Sequence, residues 1–144
     1  MAGRMRAMTP ADVRARAAEA KAYLEDAQLN IESNDPTYWK IAGSSAVLGG
    51  IAASDAICGK VLGERYNGEQ HGEARKQLDK ATSPDTTPGV NFKRLTDEKT
   101  NCQYSSSRPT QTNTRGLIKA LERLIERMDA VLGFDRADMG PSGR

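Results

Sequence analysis

Histidine occurs once in this 144-residue chain, at His71, and cysteine twice, at Cys58 and Cys102. With so few soft ligands there are no spaced Cys and His positions from which a zinc site could be assembled, and no metal is expected. A Ser-His-acid triad would have only one histidine to draw on, and no glycine-rich phosphate loop is present either. The two cysteines lie inside apolar helical patterns and no export signal precedes them, so they are expected to be buried free thiols in a reducing compartment. Aromatic residues make up 5% of the chain, among them Trp39, Phe92 and Phe134, and long valine-rich alternating runs are missing, which argues against an extensive sheet. Neither sign of charge dominates: 21 basic residues stand against 19 acidic ones, a balance too even to imply nucleic-acid binding from charge alone. Arg4, Arg6, Arg14 and Arg16 cluster near the amino end with Asp12 and Glu19 among them, and are expected to form a solvated face.

The amino-terminal arginines are not followed by an apolar run, so no signal peptide is expected. Ile41 to Gly59 approaches the ~20 residues that a bilayer span requires. It nevertheless contains Asp55, which would be costly in lipid, and is rich in alanine, glycine and serine. A central helix of a cytoplasmic protein explains it better than a membrane segment.

What is abundant is helical patterning. Thr9-Pro10-Ala11-Asp12 carries a capping residue, a proline in the first turn and an acid at the capping-box position. Val13, Ala17, Ala20, Leu24, Ala27 and Ile31 then repeat at spacings of four and three. Asp35-Pro36 starts a second helix that can run to Leu62, about 27 residues or roughly 40 Å at the standard rise. Its apolar residues occupy more than one face, which makes it central; glycines 43, 49 and 50 weaken it by roughly 1 kcal/mol each and suggest a bend at Gly49-Gly50. Ser44, Ser45 and Ser54 belong to the same tightly packed set.

Gly63 is a natural stop. A polar connection from Glu64 to Gln70 leads to a third helix near His71 to Ala81. Thr82 to Gly89 reads as a loop with two prolines. Phe92, Leu95, Lys99 and Cys102 mark a fourth, shorter helix ending around Tyr104. A last helix, capped by Thr110 or Thr112, carries Leu117, Leu121, Leu124, Met128 and Val131 and stops at Gly133. The expected organisation is a flexible tail over 1–8, one helical domain over 9–133 and a second flexible tail over 134–144. The fold class is all-α, an up-and-down four-helix bundle with an additional short helix.

The candidate chemistry sits just after the central helix. Arg65 has five donors in a fork suited to phosphate, and His71 can move a proton near neutral pH. Around a ribose 2'-hydroxyl such a pair suffices for metal-independent RNA cleavage. Spacing alone favours a surface or capping histidine over a catalytic one. Asp55, a carboxylate in an apolar segment, needs a partner, and Arg65 or His71 is the natural candidate, with a purely structural buried ion pair or a helix-capping contact with another chain as an equal alternative to a role in the site. Tyr66 and Asn67 suit base stacking and a hydrogen bond to phosphate or base, although a tyrosine near a turn also serves packing.

Arg65-Tyr66-Asn67-Gly68-Glu69-Gln70-His71 resembles the signature of the HEPN superfamily of small helical domains: an arginine, four to six residues, then a histidine, at the junction after a central helix. The likeness extends to the helix order over about Thr9 to Gly133. It implies a homodimer with two motifs in one cleft, single-stranded RNA as substrate, no cofactor, and an antitoxin or regulatory protein as a further partner. By the same resemblance Arg65 would hold the scissile phosphate and His71 would activate the 2'-hydroxyl, leaving a 2',3'-cyclic phosphate and a 5'-hydroxyl. Asp55 would orient them. Active members often have a polar residue directly after the arginine; here Tyr66 stands there and Asn67 follows. A non-catalytic HEPN-like module that binds protein or nucleic acid, and a small-ligand-binding bundle, stay open beside the nuclease reading.

Overall fold

The computed structural model describes residues 4–104 and 109–133, and for 99–104 the backbone only. The expected tail over 134–144 and the side chain of Cys102 lie outside the described residues. The protein is mostly helical. In chain order the elements are β1 (Met5–Ala7), α1 (Pro10–Asn30), α2 (Pro36–Leu62), β2 (Glu64–Tyr66), α3 (His71–Thr82), α4 (Thr87–Tyr104) and α5 (Gln111–Leu132).

The helix boundaries follow from local chemistry. Thr9 Oγ1 accepts from the Asp12 N–H at 3.1 Å while Asp12 accepts from the Thr9 N–H at 2.9 Å, a complete capping box on α1. Asp35 accepts from the Thr37 N–H at 2.9 Å to open α2, and Thr110 caps α5 through the Asn113 N–H at 3.0 Å. Gly63 ends α2 in the left-handed region at φ 78°, where a side chain would be strained.

α2 touches each of the other four helices and β2. Small residues make this close approach feasible. Ala17, Ala20 and Ala27 are buried on α1, as are Ala42, Ala46, Ala52, Ala53 and Ala56 on α2. A methyl group at Gly49 would stand 2.8 Å from Leu121 Cδ2 and 3.1 Å from Tyr23 Cβ, and one at Gly50 would stand 2.7 Å from Leu95 Cδ1. The glycines therefore admit neighbouring helices rather than end α2, which continues as one element through both positions. α2 is long and apolar enough to cross a membrane, and most of it is buried within the protein's own helices. Larger side chains fill the space beyond, including Ile57, Leu78, Phe92, Leu95 and the α5 stripe Leu117, Leu121, Leu124 and Met128. Cys58 is a buried free thiol; burial, with the nearby Asp55 charge, pushes it up to about 12.

Two expectations need correction. Residues 5–8 are not a loose tail: β1 pairs antiparallel with β2, Arg6 opposite Arg65. The Met8 N–H donates to the Gly63 carbonyl at 3.0 Å, and its side chain packs on the core. Backbone pairing of three residues with a segment sixty positions away leaves no periodic trace in sequence. The second correction is the start of α4, which begins at Thr87 instead of after Gly89. Asp85 accepts from the Thr87 N–H at 3.0 Å and from Arg127 Nη1 on α5 at 2.8 Å, while Pro88 occupies the first turn, where no donor is needed. The shortest helix is consequently α3, with 12 residues against 18 in α4.

Gly49→Val is expected to lower unfolding free energy by about 1–3 kcal/mol through overpacking against Leu121 and Tyr23. Gly72→Ala, at an α3 position with open space around it, is expected to be neutral or stabilising by a few tenths of a kcal/mol. Urea unfolding of the two variants checks the contrast, and equal effects would refute the close-packing account of Gly49.

Candidate functional site

The site forms where α2 ends. The left-handed turn at Gly63 leads α2 directly into β2, which carries Arg65; the chain then turns through Asn67 to Gln70 and enters α3 at His71. Pairing with β1 holds β2 in place, and Asn67 adds a backbone hydrogen bond to the Arg4 carbonyl. The Tyr66 hydroxyl accepts from the Gln70 N–H at 3.3 Å, and its ring lies where a side chain on Gly68 would have to go. Tyr66 thus braces the turn that separates Arg65 from His71.

Asp55, Arg65, Tyr66, Asn67 and His71, the five residues singled out from sequence, all line one cavity of about 260 Å³. His71 is half-buried and meets the core ring of Phe92 edge-on, with centroids 6.5 Å apart and planes at 74°. Arg16, Ser54 and Glu69 add further polar lining.

The partner of Asp55 is a residue that sequence reading assigned to solvent. Arg16, on α1, donates to Asp55 Oδ2 through Nε at 3.0 Å and approaches it through Nη2 at 2.9 Å. Its Nη1 meets Glu19 Oε1 at 2.6 Å. Arg65 Nη1 stands 3.9 Å from the same Asp55 oxygen, the outer limit of an ion pair. The expected solvated face is therefore wrong for Arg16, and the expected Asp55–Arg65 pairing is the secondary contact. Arg16 lies three residues after Val13 and one before Ala17, at the edge of the buried α1 stripe. That position, with an unpaired carboxylate in α2, is the signal that could have found it.

Burial pushes the Asp55 carboxyl above its ordinary value, and Arg16 and then Arg65 limit the rise. For Arg16 burial works against the charge, but the Glu19 hydrogen bond and Asp55 outweigh it, so its guanidinium is held above its ordinary range. Arg65, with one long contact to a carboxylate oxygen that Arg16 already occupies, retains donors for an incoming anion. Among the described residues no group of three or more His, Cys, Asp or Glu is gathered that could hold a metal ion. Chemically, the cavity combines a guanidinium for an oxyanion with an imidazole for proton transfer.

Removing Arg16 strands a buried carboxylate. Arg16→Ala is expected to cost about 3–5 kcal/mol if the pair behaves as fully buried, and less in proportion to its partial exposure. The raised Asp55 value fixes a sign: the folded state holds this proton more tightly than the unfolded chain. Its contribution to stability is fully present below the unfolded value near ~3.9 and lost as pH rises through the folded value. The unfolding free energy of the wild type minus that of Asp55→Asn should accordingly shrink across this window and then level off. A difference that grows with pH would contradict the assignment. In comparison with known proteins, no family model and no curated protein matches this sequence.

Proposed function

We propose that the protein is a metal-independent endoribonuclease of HEPN type, with an up-and-down bundle of that family's kind. It acts on single-stranded RNA in the cytoplasm as a toxin or phage-defence component under an antitoxin or regulatory protein. The observation that carries the reading is the convergence of Arg65 and His71 on one cavity, with Asp55 behind the arginine. In this scheme Arg65 holds the scissile phosphate and meets the charge that develops on its oxygens. His71 takes the 2'-hydroxyl proton as that oxygen attacks phosphorus, and the P–O5' bond breaks with the leaving 5'-oxygen taking a proton from solvent water. The products are a 2',3'-cyclic phosphate and a 5'-hydroxyl, and no cofactor takes part.

Support for a two-fold assembly comes from α2. Ile41 and Leu48 are 43% and 42% exposed, and Ile41, Ser44, Leu48, Ile51 and Asp55 follow one another at spacings of three and four, hence along one face. An apolar strip that leads into the site suits a second copy, which would bring two Arg65 and His71 pairs to a common cleft.

Purified protein incubated in EDTA with total RNA and defined oligoribonucleotides is expected to yield cyclic-phosphate ends. Arg65→Ala and His71→Ala should each lower kcat/KM by roughly 10²–10⁴-fold. Equal cleavage by wild type and both variants sinks the assignment, and RNA bound without cleavage selects the binding-module reading. Leu48→Glu should sediment as a monomer and lose cleavage with Arg65 and His71 intact. A wild type that is monomeric yet fully active removes the shared cleft.

A further inference from the structure

A second cavity, of about 350 Å³, shares Arg16 and Arg65 with the first and is otherwise lined from β1 and α1, by Arg6, Asp12 and Glu19 among others. Three guanidiniums face two carboxylates there, and both carboxylates are already engaged. Asp12 accepts the Thr9 N–H in the α1 cap, and Glu19 holds Arg16 at 2.6 Å. Arg16 in turn is committed to Glu19 and Asp55.

Two cations are left with little compensation. Arg6 has no ion pair within 4 Å among the described residues and Arg65 has one, at 3.9 Å; the Asp12 carboxylate acts on both at longer range. They are also direct cross-strand neighbours in the β1–β2 ribbon, a placement of like charges that by itself destabilises strand pairing. A short ribbon that sets two guanidiniums opposite each other over a cavity is suited to successive anions of one chain, one for each fork.

We propose that Arg6, set beside Arg65, binds the phosphodiester that neighbours the scissile one held by Arg65, so that the ribbon adds a second phosphate subsite. The inference rests on the nuclease reading for its ligand. Because Arg65 lines both cavities, a ligand that extends from one to the other must pass it, and a polymer with one anion in every unit meets this requirement. Arg6 is here a binding and positioning residue. It fixes where the chain lies relative to His71.

The test measures binding by fluorescence anisotropy, without cleavage, on the His71→Ala chain with a short single-stranded oligoribonucleotide. Probes carry a neutral methylphosphonate at one linkage at a time around the cleaved bond. Neutralising one flanking linkage is expected to weaken binding roughly five- to tenfold. Arg6→Gln should weaken the native probe by a similar factor and abolish the further loss from that methylphosphonate, while Arg6→Lys retains part of the affinity. The slope of log K against log salt should fall by about 0.7 in Arg6→Gln. Thermal unfolding of Arg6→Gln at the parent temperature excludes loss of fold as the cause. Unchanged affinity in Arg6→Gln, a methylphosphonate penalty that persists in full in that variant, or no binding by the His71→Ala chain overturns the subsite. RNA cleaved with binding independent of Arg6 refutes this inference alone, whereas Arg6-dependent binding without cleavage by the wild type refutes the nuclease reading and leaves the subsite standing.

Discussion

The constraint on which the rest depends is that α2 is enclosed. Every other helix packs on it, and 15 of its 27 residues are buried, so its surface must be made of side chains small enough for several helices to reach it at once. Alanine, glycine and serine meet that need, at the expense of intrinsic helix stability at the glycines. The compensation comes from what approaches: Leu121 fills the space above Gly49 and Leu95 that above Gly50. Helix pairs built this way gain little from large side chains at the contact itself and much from dispersion between closely spaced backbones. The bulky residues are accordingly concentrated on α5, α4 and α3, where they close the core around the thin central element.

An enclosed helix leaves few places where chemistry can meet solvent, and the carboxyl end of α2 is one. Asp55 is the one acidic residue of α2 and lies close to that end, and its carboxylate is too buried to stand alone. Arg16 answers it from α1 and Arg65 from β2. α1, α2 and β2 are thus tied to one oxygen atom. The tie is unequal: Arg16 has two close nitrogens on that oxygen and a second carboxylate on its other side, whereas Arg65 keeps one long contact. Arg16 therefore serves as the structural counterion, and this releases Arg65 from that duty.

Most of the helical framework was legible because it is written locally. The capping box at Thr9, the Asp35-Pro36 start, the Gly63 and Gly133 stops and the α5 stripe are each decided within a few residues of chain. The five candidate site residues were legible for a different reason, a short motif next to the one acidic residue of an apolar helix. What was not legible depends on long-range contact. β1 is defined only by β2, and Arg16 acquires its role only when Asp55 faces it. The start of α4 was hidden because Pro88 and Gly89 resemble a loop until the capping role of Asp85 is recognised. In each case the missing information was a partner rather than a propensity.

The spacing of Arg65 and His71 gains meaning from the element between them. On a continuous α-helix, residues six apart are rotated by roughly 240° and face different sides, so an arginine and a histidine at this separation would not converge. Here the arginine stands on a strand and the histidine at the first position of a helix, with a bent connection between them. Tyr66 braces that connection by receiving the Gln70 N–H and by packing over Gly68, where a side chain would displace its ring. The residue directly after the arginine thus has a task that a smaller polar side chain could not perform: it reaches across the loop to the Gln70 N–H. Its large ring braces the connection between Arg65 and His71, which line one cavity, and at position 66 packing takes the place of a short polar residue.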